Sequence, residues 1–135
     1  MSTTIRPEVS QNNKYWIEKH RYYELKHFCL QYPIWHKAYF AMDALEQRPA
    51  DLAAFIKSTG ISDPVGKRAE ALAFWSARMK MVEETALKTD KELSGYIFRA
   101  VTEDVPYSKL DAPCCKDVFY EAYRKFFWLL NKARQ

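Results

Sequence analysis

Glycine is scarce in this sequence. Three glycines and six prolines stand in 135 residues. Tight turns lean on these two residue types, so an all-β fold with many hairpins is excluded and helices are expected. Long apolar runs are also missing: none approaches the roughly 20 residues that a membrane-spanning helix needs. The opening stretch "MSTTIRPEVSQNNK" has no apolar segment of the kind a secretory signal requires. Its polar character predicts a frayed start and, by default, a cytoplasmic protein. Cysteine is limited to Cys29, Cys114 and Cys115. An odd count sets no disulfide framework, and a bridge between adjacent Cys114 and Cys115 would be strained. Reduced, half-buried thiols in a reducing compartment are the expectation.

Apolar side chains are plentiful. Hydrophobic residues make up 48% of the chain and aromatics 16%, ample for a core and contrary to disorder. The length suits one compact domain. The net charge of +4 is unevenly spread: residues 1–40 carry +3, residues 41–113 carry −2, and residues 114–135 carry +3. Basic ends around an acidic middle permit nucleic-acid binding. A solvated surface of mixed charge is the plainer alternative.

Helical periodicity organises most of the chain. In "HRYYELKHFCLQY" (His20–Tyr32), His20, Glu24, His27 and Gln31 share one polar face, with Tyr22, Leu25 and Cys29 on the other. Pro33 suits the first turn of a second helix, "PIWHKAYFAMDALEQ", with Ile34, Ala38, Met42 and Leu45 near one side. "ADLAAFIKSTG" reads as a third helix capped by Gly60. Asp63 before Pro64 is a start signal for the longest helix, which runs to about Lys88. Along it, Leu72, Trp75, Met79, Val82 and Ala86 form a 3-4-3-4 seam, and Phe74 and Met81 a second apolar line. Such a helix is central in a bundle or shared with a partner.

Asp90 is expected to cap "KELSGYIFRAVTE", with Leu93, Ile97, Ala100 and Val101 as its buried stripe. Gly95 weakens that helix by about 1 kcal/mol relative to alanine, which suggests close packing there. "YSKLD" is a short brace, and a last helix runs from Cys114 to about Lys132. The predicted architecture is all-α: a small bundle of about five or six helices ending in a helix-turn-helix-like unit. Residues 1–13 form the frayed start, 14–60 the aromatic N-terminal helices, and 61–135 the long helix with the terminal unit. The last two are expected to pack as one domain.

A helix that reads bases must bury one face and offer donors near the start of the other. On a helical wheel, Phe119, Ala122, Tyr123, Phe126 and Leu130 converge as the core face. Asp117, Tyr120, Glu121, Arg124, Lys125, Trp128 and Lys132 point away, with Lys116 on the flank. Lys116, Arg124 and Lys125 could neutralise phosphates, Tyr120 could donate or stack, and Ser108 and Lys109 on the brace could touch the backbone. Asp117 could accept from a cytosine amino group. Two features oppose this. Asp117 and Glu121 would repel phosphate, and Trp128 is too large and apolar to be left in water. Trp128 is expected to pack on the aromatic N-terminal region or on a second subunit. Leu72, Trp75 and Met79 are the matching candidates for partner or dimer packing.

"KHRYYELKHFCLQYP", "SDPVGKRAE" and "YIFRAVTEDVPYSKLDAPCCKDVFYEAYRKFFWLL" stand in an order that resembles small phage-encoded transcriptional regulators of the RinA/ArpU type. The C-terminal part of that family is similar to region four of sigma factors. The resemblance covers residues 14–132 and is one of order and texture. It implies a non-catalytic regulator of phage or prophage genes that binds double-stranded DNA, with possible contact to RNA polymerase and a possible homodimer. The recognition helix would be Cys115–Asn131, with Lys116, Asp117, Tyr120, Arg124 and Lys125 as contacts. The chain departs from the family at "YSKLDAPCC", which is compressed and holds proline. It also departs where Tyr123-Arg124 stands in place of a basic pair.

Other chemistry finds little support. His20, His27, Cys29 and His36 are the most crowded potential metal ligands, but their spacing is not that of a helical metal site. No cofactor is implied. Cys115 at a helix start could be an activated thiol in principle, yet no base stands near it in sequence. Two rivals to the DNA-binding regulator stay open. One is a ring-forming component of the small-terminase kind, and the other a helical adaptor that binds a host protein such as RNA polymerase without DNA affinity.

Overall fold

The computed structural model describes residues 13–46 and 64–135. Among them every regular element is helical. The elements are α1 (Lys19–Leu30), α2 (Tyr32–Glu46), α3 (Pro64–Thr89), α4 (Ser94–Glu103), a 3-10 turn (Tyr107–Lys109) and α5 (Lys116–Ala133). The helix expected over 50–60 and the Asp63 cap lie outside the described residues. The chain divides into two units. Residues 13–32 and 81–135 belong to one, residues 33–46 and 64–80 to the other.

In the first unit, α1, α4 and α5 pack on one another. α1 begins at Glu18, whose carboxylate accepts from the backbone N–H groups of His20 (2.8 Å) and Arg21 (3.2 Å). Those amides have no partner within the helix, so the cap satisfies two of its free donors. Tyr22, Leu25, Phe28 and Cys29 are buried, while His20, Glu24, His27 and Gln31 are exposed. The two faces read from the sequence are therefore the two faces found. Gln31 closes α1, and Pro33, which lacks an N–H, sits in the first turn of α2.

The end of α3 that belongs to this unit buries Val82, Thr85, Ala86 and Thr89. The two threonine hydroxyls donate back to the carbonyls of Met81 (2.6 Å) and Thr85 (2.8 Å). Asp90 then accepts from the N–H groups of Glu92 (2.9 Å) and Leu93 (3.1 Å), so it closes the turn before α4 rather than capping the helix itself, whose N-cap is Leu93 with no side-chain bond. Leu93, Ile97, Ala100 and Val101 are all buried. Gly95 corrects an expectation. A Cβ built there meets nothing within 4 Å, so no close packing requires the glycine.

The brace differs from expectation. Over Tyr107–Lys109 it is one 3-10 turn, and twelve residues separate α4 from α5. Tyr107 fastens that turn to α5 and to the chain leading into it: its ring lies 5.4 Å from that of Phe119, and its hydroxyl donates to the Cys114 carbonyl. α5 buries Phe119, Tyr120, Tyr123, Phe126, Phe127 and Leu130. This arc is wider than the wheel predicted and is rotated towards Tyr120 and Phe127, because α1, α4 and the Tyr107 turn all cover it. Edge-to-face ring pairs run through it. Phe127 meets Tyr22 at 5.1 Å, Tyr123 at 5.0 Å and Phe126 at 5.1 Å. Such pairs are worth about 0.5–1.5 kcal/mol each beyond the area they bury. At the centre the Tyr22 and Tyr123 hydroxyls hydrogen-bond at 3.0 Å.

In the second unit, Trp35 of α2 is buried, and Ile34, read with Ala38, Met42 and Leu45 near one side of that helix, is 66% exposed. Along the α3 seam within this unit, Leu72 and Trp75 are half-buried and Met79 is buried. Phe74 lies outside the seam, 48% exposed, with the Arg78 guanidinium 3.5 Å from its ring centre.

Candidate functional site

The first unit carries a groove of about 460 Å³ along α5. α5 supplies most of it. Asp117, Val118, Glu121, Ala122 and Lys125 recur at helical spacing and so fall on one strip of the helix surface. Val118 is 52% exposed, an apolar side chain open to solvent in the middle of that strip. Thr89 and Asp90, at the junction after α3, form a second wall.

Tyr15 forms the third wall. A local turn holds it in place: the Asn13 side-chain oxygen accepts from the Tyr15 N–H at 2.8 Å, and the Asn13 carbonyl accepts from the Trp16 N–H at 3.1 Å. The Tyr15 ring then meets Trp128 edge-on at 5.4 Å. On Trp128 the Lys132 ammonium stands 3.5 Å from the ring centre. The large outward aromatic is thus covered from within the chain, by the aromatic N-terminal region and by a lysine one turn further along α5.

The charges around the groove are mostly negative. Asp90 stands just past the last turn of α3, where the unsatisfied carbonyls of the helix end add to its negative field. Asp117 lies in the first turn of α5, exposed. Glu121 pairs with Arg124 at 3.2 Å. Among the described residues, Lys125 is the one cation lining the groove. The floor between these charges is Val118, Ala122 and the Tyr15 ring.

The candidate DNA contacts are dispersed by this arrangement. Ser108 and Lys109 are exposed on the 3-10 turn, and Lys116 is exposed at the start of α5. Asp117 and Lys125 fall in the groove. Arg124 is mostly covered and turned to Glu121. Tyr120 is a correction: only 3% of it is exposed, with rings of Phe119 (5.4 Å) and Tyr123 (5.9 Å) against it, so it has no face to offer a base. The wheel misjudged it because an isolated helix does not reveal how many neighbours cover it.

The sequence reading did not place Tyr15, Thr89, Asp90 or Val118 at a site, and it put Ala122 on the core face, where the structure has it line the groove. Val118 and Ala122 at i and i+4 form a minor apolar line that the sequence does display. Nothing local joins Tyr15 and Asp90 to it, since their meeting is made by the fold.

Among the described residues no group of three His, Cys, Asp or Glu side chains could hold a metal. Cys29 is fully buried, and that burial pushes its thiol well above the ordinary range, against a smaller opposite pull from Arg134. Cys114 is pushed up too, first by desolvation and then by Cys115 and Asp90. A thiol raised in this way is a poor nucleophile at neutral pH. No helix among the described residues is long and apolar enough to cross a membrane. The chain matches no protein-family profile, no curated protein and no solved structure.

Proposed function

We propose that this chain is a non-catalytic helical adaptor that engages a segment of a protein partner through the groove on α5. The carrying observation is the position of that groove. The strip of α5 that a DNA reader would turn to the bases bears an exposed valine between Asp117 and Glu121, with Asp90 opposite. Phosphate oxygens approaching that strip would meet carboxylates, a like-charge contact costing about 1 kcal/mol for each pair at 4 Å even in water. A protein segment finds there what protein interfaces use, an apolar centre with a charged rim. In the phage setting that the sequence resembles, RNA polymerase is one partner such an adaptor would serve.

One observation favours the rival reading of direct DNA binding. Ser108, Lys109 and Lys116 are exposed at the brace and the first turn of α5, and they could meet backbone phosphate. Fluorescence anisotropy of labelled duplex DNA decides between them. Two phosphates neutralised by Lys109 and Lys116 would give a log-affinity slope against log salt of about −1.8. The adaptor reading expects no saturable binding at about 50 mM salt, where electrostatic DNA binding is strongest. Saturable binding that weakens with salt along that slope, and is lost in Lys109→Ala/Lys116→Ala, would overturn it. A ring-shaped oligomer in solution would favour the packaging reading instead.

A further inference from the structure

We infer that the occupant of the α5 groove is a basic amphipathic protein segment, anchored by an aliphatic side chain and flanked by lysine or arginine. This deepens the adaptor reading and rests on it.

Charge complementarity chooses the occupant. The chain as a whole is basic, with net charge +4, yet among the described residues the groove is lined by three carboxylates against one ammonium. The groove is therefore a local reversal of the protein's overall sign, and an acidic or neutral partner would have better surfaces elsewhere. The three acids are not equivalent. Glu121 is already balanced by Arg124. Asp117 lies against the positive end of α5, which offsets part of its charge. Asp90 has one carboxylate oxygen engaged by two backbone N–H groups and sits at the negative end of α3. Asp117, which is exposed, and the second carboxylate oxygen of Asp90 are then the cation acceptors of the groove.

Shape fixes the remainder. From Asp117 to Lys125 the strip runs eight residues, about 12 Å at 1.5 Å per residue. That length matches about two turns of helix or a shorter extended segment. Val118 supplies exposed apolar surface midway, and Tyr15 closes the side. One aliphatic side chain laid over Val118 and Ala122 would place basic residues on either side within reach of Asp90 and Asp117. Lys125 sets direction: the end of the segment that meets it is the less basic one.

The test is selection of peptides from a random displayed library on the full chain, with Asp117→Asn/Glu121→Gln as a parallel bait. Both positions are exposed, and circular dichroism checks that the variant is folded. Selected sequences are then synthesised and their amide shift changes mapped on the protein. The inference expects enriched peptides with net positive charge and an aliphatic residue, and shifts centred on Asp90, Asp117, Val118 and Ala122. It expects binding weaker by about tenfold to the variant, equivalent to about 1.4 kcal/mol. Neutral or acidic peptides that map to the groove and bind both baits equally would overturn the inference and leave the adaptor reading standing. No enriched peptide, or peptides mapping away from α5, would overturn both.

Discussion

Tyr15 meets Trp128 edge-on, with ring centres 5.4 Å apart, and by doing so closes one side of the groove on α5. A residue before the first helix and one near the end of the last thus share a contact. The Lys132 ammonium covers another part of the same tryptophan. Trp128→Ala removes an aromatic pair and a cation–π contact, so it should cost about 1–2 kcal/mol of stability in urea denaturation. It should also free Tyr15, which amide exchange would show as faster exchange at Tyr15 and Trp16. Unchanged stability and exchange would mean that Tyr15 is held by the Asn13 turn alone.

The buried Tyr22–Tyr123 hydroxyl pair makes a sharper energetic prediction. Tyr123→Phe removes that buried hydrogen bond and should cost about 0.5–1.5 kcal/mol. If the two hydroxyls act as a pair, Tyr22→Phe/Tyr123→Phe should cost less than the sum of the two single changes. A double-mutant cycle from denaturation curves measures the difference. Two single losses that simply add would show that the hydroxyls act independently.

Alkaline pH should unfold the protein, for a reason visible in the core. Burial raises the Tyr123 hydroxyl well above its ordinary range, with Tyr22 adding to the effect, and burial raises the Cys29 thiol likewise. In the unfolded chain these groups release protons at roughly pH 8.5 for cysteine and roughly pH 10 for tyrosine. The folded state keeps its protons to higher pH. The unfolded state therefore binds fewer protons in that range, and stability falls as pH rises. Full stability from these two groups is present below about pH 8.5 and declines above it. Urea midpoints measured from pH 7 to 11 should fall, and Cys29→Ala should delay the onset of the decline. A flat profile would contradict the burial of both groups.

Gly95→Ala should stabilise. The site is helical and a Cβ there meets nothing within 4 Å, so the change removes backbone freedom from the unfolded chain at no steric cost. The expected gain is about 0.5–1 kcal/mol, read as a rise in Tm. A loss of stability would mean that the space beside Gly95 is occupied in solution.

The sequence displayed well whatever depends on periodicity along a single helix. The two faces of α1 and the buried stripe from Leu93 to Val101 follow from residue spacing, because one side of each helix is covered and the other is wet. Asp90 was legible as an acceptor for the amides that follow it, because such bonds are local chemistry, although the helix itself starts later, after Leu93. Failures came where neighbours decide. Tyr120 was expected on the outward face, and the rings of Tyr107, Phe119 and Tyr123 surround it instead. Ile34 and Trp35 are adjacent, and hydrophobicity alone did not say which would be buried. Gly95 suggested crowding, but a glycine in open space looks the same in sequence as one in a tight contact. The groove was least legible, since Tyr15 and Asp90 reach α5 only through the packing of α1, α4 and α5.

The measurement that bears most directly on the adaptor reading is photo-crosslinking from α5 in living cells. A photoreactive amino acid replaces Val118, with the same group at exposed Ser108 as a comparison. The account predicts a discrete protein adduct from position 118 that is absent from position 108 and diminished by Asp117→Asn. Nucleic acid captured at position 118, or no adduct from it while position 108 crosslinks to DNA, would contradict the account and return α5 to the role of a DNA reader.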